Sequence, residues 1–166
     1  MKKVYLAGFD VFYPDAIKRG ERLKHLCEQY GLKGSFPLDN TVPSGMSGRE
    51  AASWIYQKNI QALSESAAVL ANLNNFRGHE PDSGTVFEVG FAVARGIPVW
   101  AYFSDDHPLK DKIATDKQGL CAEGFTVEDF GLPKNLMLAA SWAGYSLNAE
   151  DAVTDLAAYL SRQDAI

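Results

Sequence analysis

Apolar positions along the chain fall into two alternating rhythms. "KVYLAG" (3–8) is a compact run of strand formers closed by glycine, and from 14 to 30 apolar residues return at helical spacing, at Ile17, Leu23, Leu26 and Cys27, among charges. The pattern then repeats. A short strand falls within "GLKGSFPLDN" (31–40), a helix covers about 50–66, and "AAVLANL" (67–73) is an apolar run of strand length. A loop at 74–84, carrying glycines, a proline and polar groups, leads to a helix over about 85–95 and a strand at "IPVWAYF" (97–103). Beyond this the pattern weakens: "DDHPLKDK" reads as a loop, 132–142 as a short helix and 148–163 as an amphipathic helix. No repeat or linker interrupts the chain, and 166 residues are expected to form one domain, 1–166.

Alternation of strand and helix predicts an α/β fold, a parallel sheet with helices on both faces and a site in the crevice at the carboxyl ends of its strands. The loops that reach this edge are 8–14, 38–49, 74–84 and 103–110. They hold Asp10, Asp39, Asn40, His79, Glu80 and Asp82.

Composition removes several function classes. With 46% hydrophobic and 22% charged residues and no apolar run of bilayer length, no membrane partner is expected. "MKKVYLAGFDVF" runs straight into a strand and lacks a cleavage signal, and the two cysteines, Cys27 and Cys121, are too few for a disulfide framework or a zinc site. A cytoplasmic location is the expectation. The net charge of −5, with no basic patch, argues against a nucleic-acid polymer as partner. Neither GxGxxG after the first strand nor GxxxxGK[ST] occurs, so the phosphate cradles of dinucleotide and P-loop sites are missing. His79, Glu80 and Asp82 share one loop without a matching cluster elsewhere, and no metal is expected.

One carboxylate is out of keeping with its surroundings. In "PDSGTVFEVGFAVARG" (81–96), Glu88 sits among Phe87, Val89, Phe91 and Val93. It is explained without function if Thr85 caps the helix and Glu88 reaches back to it in a capping box. Yet the helix has almost no polar face, and a charge held against apolar walls is paired, neutralised or kept for chemistry. Asp82 and Glu88 then flank one helix N-terminus at the site edge, which suits glycosyl transfer, where one acid attacks an oxocarbenium-like centre and another binds hydroxyls or handles protons.

These residues resemble the nucleoside 2-deoxyribosyltransferases. The resemblance is ordered along nearly the whole chain: "VYLAG", "PLDN", "IYQKNIQAL", "DSGTVFEVGFA" and "NLM". It implies a flavodoxin-like (Rossmann-like) doubly wound parallel sheet of about five strands, and a homo-oligomer, whether dimer, tetramer or hexamer, with shared active sites. It also implies deoxyribonucleosides and free nucleobases as partners and no cofactor. By the same resemblance Glu88 matches the nucleophile that attacks C1′ and holds the sugar as an ester, Asp82 the acid that binds sugar hydroxyls, and Tyr5 the tyrosine that hydrogen-bonds the nucleophile. Asn135 of "NLM" matches an asparagine donated by a neighbouring subunit. Gly84 falls within the nucleophile's motif, and Asp39 and Asn40 fall in the base-binding loop.

Two departures stand out. Asn59 falls where better-known members carry the aspartate that protonates the departing base, so that proton must come from elsewhere, with Asp39, Asp10 or a water relay as the candidates. The chain also ends "SRQDAI", without the terminal tyrosine of some members, which bears on base preference. Trp54, Trp100 and Trp142 read as core or interface residues. Two rival readings are an N-glycoside hydrolase acting on a deoxynucleoside or its 5′-monophosphate and a non-catalytic nucleoside-binding module. "AGFDVFYPD" offers Asp10 and Asp15 where a phosphate needs donors, which weakens the monophosphate version.

Overall fold

The computed structural model describes residues 1–164. The last two residues of the "SRQDAI" ending lie outside the described residues. Strands β1 (Lys2–Ala7), β2 (Leu32–Ser35), β3 (Ala68–Asn72), β4 (Val99–Tyr102) and β5 (Gly144–Ser146) form one sheet in the order β2-β1-β3-β4-β5. Every pairing is parallel. Helices α1 (Ala16–Gln29) and α6 (Ala149–Gln163) cover one face, and α2 (Gly48–Ser64) and α3 (Ser83–Ala94) the other. Two single-turn α-helices, α4 (Leu109–Lys112) and α5 (Leu136–Ala139), and two short 3-10 helices, Phe9–Phe12 and Pro37–Asp39, are also present among the described residues.

Successive strand residues point to opposite faces, and here the alternation divides the core in two. Val4, Leu6, Ala68, Leu70 and Tyr102 pack with Cys27 of α1 and Leu156 of α6. Tyr5, Ala7, Val69, Ala71, Val99 and Ala101 pack with Leu63 of α2 and Val89 of α3. Tyr5 is therefore turned toward α3, the helix that carries Glu88. Strand order reverses between β1 and β3, which opens the crevice where α/β sheets hold their ligands. Gly8, leaving β1 at this crevice, has no room for a side chain: a Cβ there would lie 2.8 Å from Asn72 Cβ and 2.9 Å from Asp10 Oδ2.

The structure departs from the sequence pattern in four places. The three-residue strand β5 is too short to show an alternation, and it is recruited by pairing with β4. Residues 109–112 form a turn of helix where a loop is predicted. The 132–142 helix shrinks to α5, and α3 starts two residues earlier than predicted, capped by Asp82 rather than Thr85. No helix among the described residues is long and apolar enough to cross a membrane.

Candidate active site

Asp82 follows loop 74–81 and caps α3: its Oδ2 accepts from the Thr85 backbone N–H at 2.9 Å and from Thr85 Oγ1 at 3.0 Å. Both donors belong to Thr85 and both reach the same oxygen. Its Oδ1 takes part in no hydrogen bond among the described residues. Gly84 sits beside it, where a Cβ would approach Oδ2 to 3.1 Å.

With the cap supplied by Asp82, Glu88 does not close a capping box. It accepts a hydrogen bond of 2.6 Å from Tyr5 Oη on Oε1. Tyr5 is fully buried, and burial first, then the charge of Glu88, holds its hydroxyl protonated, so it acts as a donor. Burial pushes the Glu88 carboxyl up to about 7, helped by the negative charge of Asp82 and opposed by the Tyr5 hydrogen bond. Ionised near neutrality, the group is a stronger base than an ordinary carboxylate.

Glu88 and Asp82 line a cavity of about 350 Å³. Its other walls come from the β1 exit (Gly8, Val11, Phe12), from the segment after β2 (Pro37, Leu38, Asn40, Val42) and from one face of α2 (Trp54, Ile55, Lys58, Asn59). Apolar and aromatic walls with a few convergent polar groups are what a small flat ligand requires. Phe12 is supported from behind by Phe76, with ring centroids 5.4 Å apart, and Arg77 lies 4.6 Å over Phe76.

Of the residues singled out from the sequence, Tyr5, Asp82, Gly84, Glu88, Asn40 and Asn59 gather at this cavity. Asp39 does not. Its Oδ1 pairs with Lys24 Nζ at 2.7 Å and its Oδ2 accepts from the Phe36 N–H at 2.9 Å, so it holds the turn that presents Leu38 and Asn40. Asn135 lies outside the cavity of its own chain, accepting from the Met137 N–H and donating to Glu128 Oε1 at 2.6 Å. Asp10 is buried against Asn72 Nδ2 at 2.7 Å, with Arg19 Nη1 at 3.8 Å, in a larger cleft between α1 and α6 whose polar groups largely satisfy one another. Among the described residues no group of three or more His, Cys, Asp or Glu side chains is arranged to hold a metal ion.

Trp54, read as core or interface, forms part of the cavity wall together with Lys58, which was not singled out. The signal was available: Trp54 and Ile55 stand about one helical turn before Lys58 and Asn59, so all four share a face.

The family model of the nucleoside 2-deoxyribosyltransferases matches residues 4–137. A solved 2-deoxyribosyltransferase from Leishmania mexicana is 32% identical, with a TM-score of 0.80, and the match covers 95% of this chain and 98% of that one. The 2-deoxyribosyltransferase of the psychrotolerant bacterium Bacillus psychrosaccharolyticus shares the fold at 18% identity, with a TM-score of 0.62 over 91% of this chain and 90% of its own. An uncharacterised protein of Schizosaccharomyces pombe is 30% identical over 113 residues, 66% of this chain and 54% of that protein. The chain thus spans about half the length of the curated relative it matches.

Proposed function

Because this chain belongs to the nucleoside 2-deoxyribosyltransferase family, we propose that it transfers 2-deoxyribose between nucleobases by a retaining double displacement through a glycosyl ester on Glu88. The observation that carries this reading is the 2.6 Å hydrogen bond from buried Tyr5 to Glu88 at the wall of a nucleoside-sized cavity. In the first half-reaction ionised Glu88 attacks C1′ and the base leaves with the bonding pair. In the second, an incoming base attacks C1′ from the side the first one left, and the carboxylate is released. Asp82, with Oδ1 available, binds a sugar hydroxyl and holds the ring against α3. Asn40 and Asn59 meet the edges of the base, and Phe12 and Trp54 meet its faces.

The substrates in this reading are deoxyribonucleosides and free purine or pyrimidine bases. Chromatography of 2-deoxyinosine with adenine tests it: 2-deoxyadenosine and hypoxanthine are the expected products. Hypoxanthine with free deoxyribose and no 2-deoxyadenosine identifies a hydrolase, and no reaction with any nucleoside and base pair identifies a binding module.

The Tyr5 hydrogen bond has its own kinetic consequence. The Glu88 carboxyl must be ionised to attack, so kcat/KM falls as pH drops through about 7. The Tyr5 hydroxyl stabilises the ionised form, and a hydrogen bond to a charged group contributes about 1.5 kcal/mol or more, roughly one pKa unit. Tyr5→Phe therefore moves the acidic limb of the pH profile upward by about one unit. Most of the rate returns at pH values above the new midpoint. A profile superimposable on that of the wild type would contradict the assignment.

Self-association also fits this reading. Tyr56, Phe87 and Met137 are 53%, 51% and 73% exposed, apolar surface carried by α2, α3 and α5. A second copy seated there covers this surface and brings its Asn135 toward the cavity. Sedimentation of the purified chain is expected to give an oligomer, which Phe87→Glu dissociates.

A further inference from the structure

Three titratable groups line the cavity: Asp82, Glu88 and Lys58. Asp82 caps α3 and Glu88 lies in its second turn, so a sugar attacked by Glu88 lies against α3. Its base then extends to the walls made by α2 and the β2 exit. A base departing with the C1′–N bonding pair needs a proton at a ring nitrogen. On these walls the polar side chains are Asn40, Asn59 and Lys58. The amides offer hydrogen bonds but no releasable proton. The carboxylates that could substitute are engaged elsewhere, Asp39 with Lys24 and the Phe36 N–H, Asp10 with Asn72. Lys58 differs from them. Its Nζ lies 5.7 Å from the Trp54 ring centroid and forms no ion pair or hydrogen bond among the described residues. The carboxylate whose field it reaches, Glu65, is held by Lys3 and Gln61.

We propose that Lys58 donates the proton that releases the departing base, taking the part that Asn59 cannot play. The inference rests on the transferase reading and deepens it. As Glu88 bonds to C1′, the C1′–N bond breaks toward the base and an Nζ–H proton passes to the ring nitrogen, leaving a neutral amine. When the second base attacks C1′ and the ester bond breaks back to the carboxylate, the amine takes up that base's N–H proton. No proton is gained or lost over the cycle.

The test compares two donors, 2-deoxyinosine and 7-methyl-2-deoxyinosine, whose base is already cationic and leaves neutral without a proton. Lys58→Met is expected to slow base release from 2-deoxyinosine about a hundredfold, the usual worth of a general acid. Release from the methylated donor is expected to be unaffected. Lys58→Arg keeps the charge but does not deprotonate, so it stays slow with 2-deoxyinosine. Equal slowing on both donors, or a full rate in either variant, overturns the proposal. Wild-type protein that turns over neither donor removes the transferase reading and this inference with it. An active wild type beside an unimpaired Lys58→Met variant removes the inference alone.

Discussion

Glu88→Ala is expected to abolish transfer, with a loss of roughly four orders of magnitude or more in kcat, because removing a nucleophile removes the covalent route altogether. The loss is specific to chemistry. Among the described residues Glu88 holds no helix cap and forms no salt bridge, and its hydrogen bond comes from Tyr5. Glu88→Gln preserves shape and serves as the companion variant: nucleoside binding remains and turnover does not. Stability moves the other way. The folded protein holds the Glu88 proton up to about 7, above the usual 4.5, so between these values the native state binds more protons than the unfolded chain. Native stability therefore falls as pH rises through that window. Glutamine carries no such cost, and at pH 8 the variant is expected to be more stable than the wild type by about 3 kcal/mol, several degrees in Tm. At pH 4.5 the two melt alike. A site kept for function at the expense of stability behaves in this way.

The second large effect is at Asp82, where two roles can be separated. Asp82→Ala removes both the α3 cap and the group that binds sugar, costing about 1 kcal/mol of stability and on the order of a hundredfold in rate. Asp82→Asn keeps an acceptor for the Thr85 N–H, since asparagine caps as well as aspartate. At pH 4.5, where Glu88 is protonated, its Tm should match that of the wild type, while its turnover at higher pH falls. Because the charge of Asp82 raises the Glu88 carboxyl, Asp82→Asn also moves the acidic limb of the pH profile downward. This is opposite to the shift expected for Tyr5→Phe, and equal shifts in the two variants would contradict the arrangement.

The layered α/β fold was legible in the sequence because its strands and long helices have distinct hydrophobic periods. The four longer strands and the four long helices follow the predicted spans closely. Alternation along β1 also settles why Tyr5 rather than Val4 or Leu6 meets α3. What escaped was decided by contacts between distant segments. Thr85 and Asp82 both satisfy the spacing of a helix cap, and the cap falls to Asp82 while Glu88 takes its hydrogen bond from Tyr5, 83 positions away. Asp39 lies in the predicted base loop, but Lys24 on α1 turns its carboxylate away from the cavity. Trp54 reads as a core or interface residue from its type alone, and only the meeting of α2 with the β1 exit makes it a wall of the site. The pairing of Tyr5 with Glu88 came from the family resemblance. No rule of periodicity relates a strand tyrosine to a helix glutamate.

In the proposed double displacement Glu88 carries the sugar. Mixing the protein with 2-deoxyinosine and no acceptor base, quenching in acid within the first turnover and mapping the digested chain by mass tests it directly. One added deoxyribosyl group is expected on the peptide that contains Glu88, lost again when adenine is supplied before the quench. Release of hypoxanthine with no adduct, or an adduct on any other residue, would contradict it.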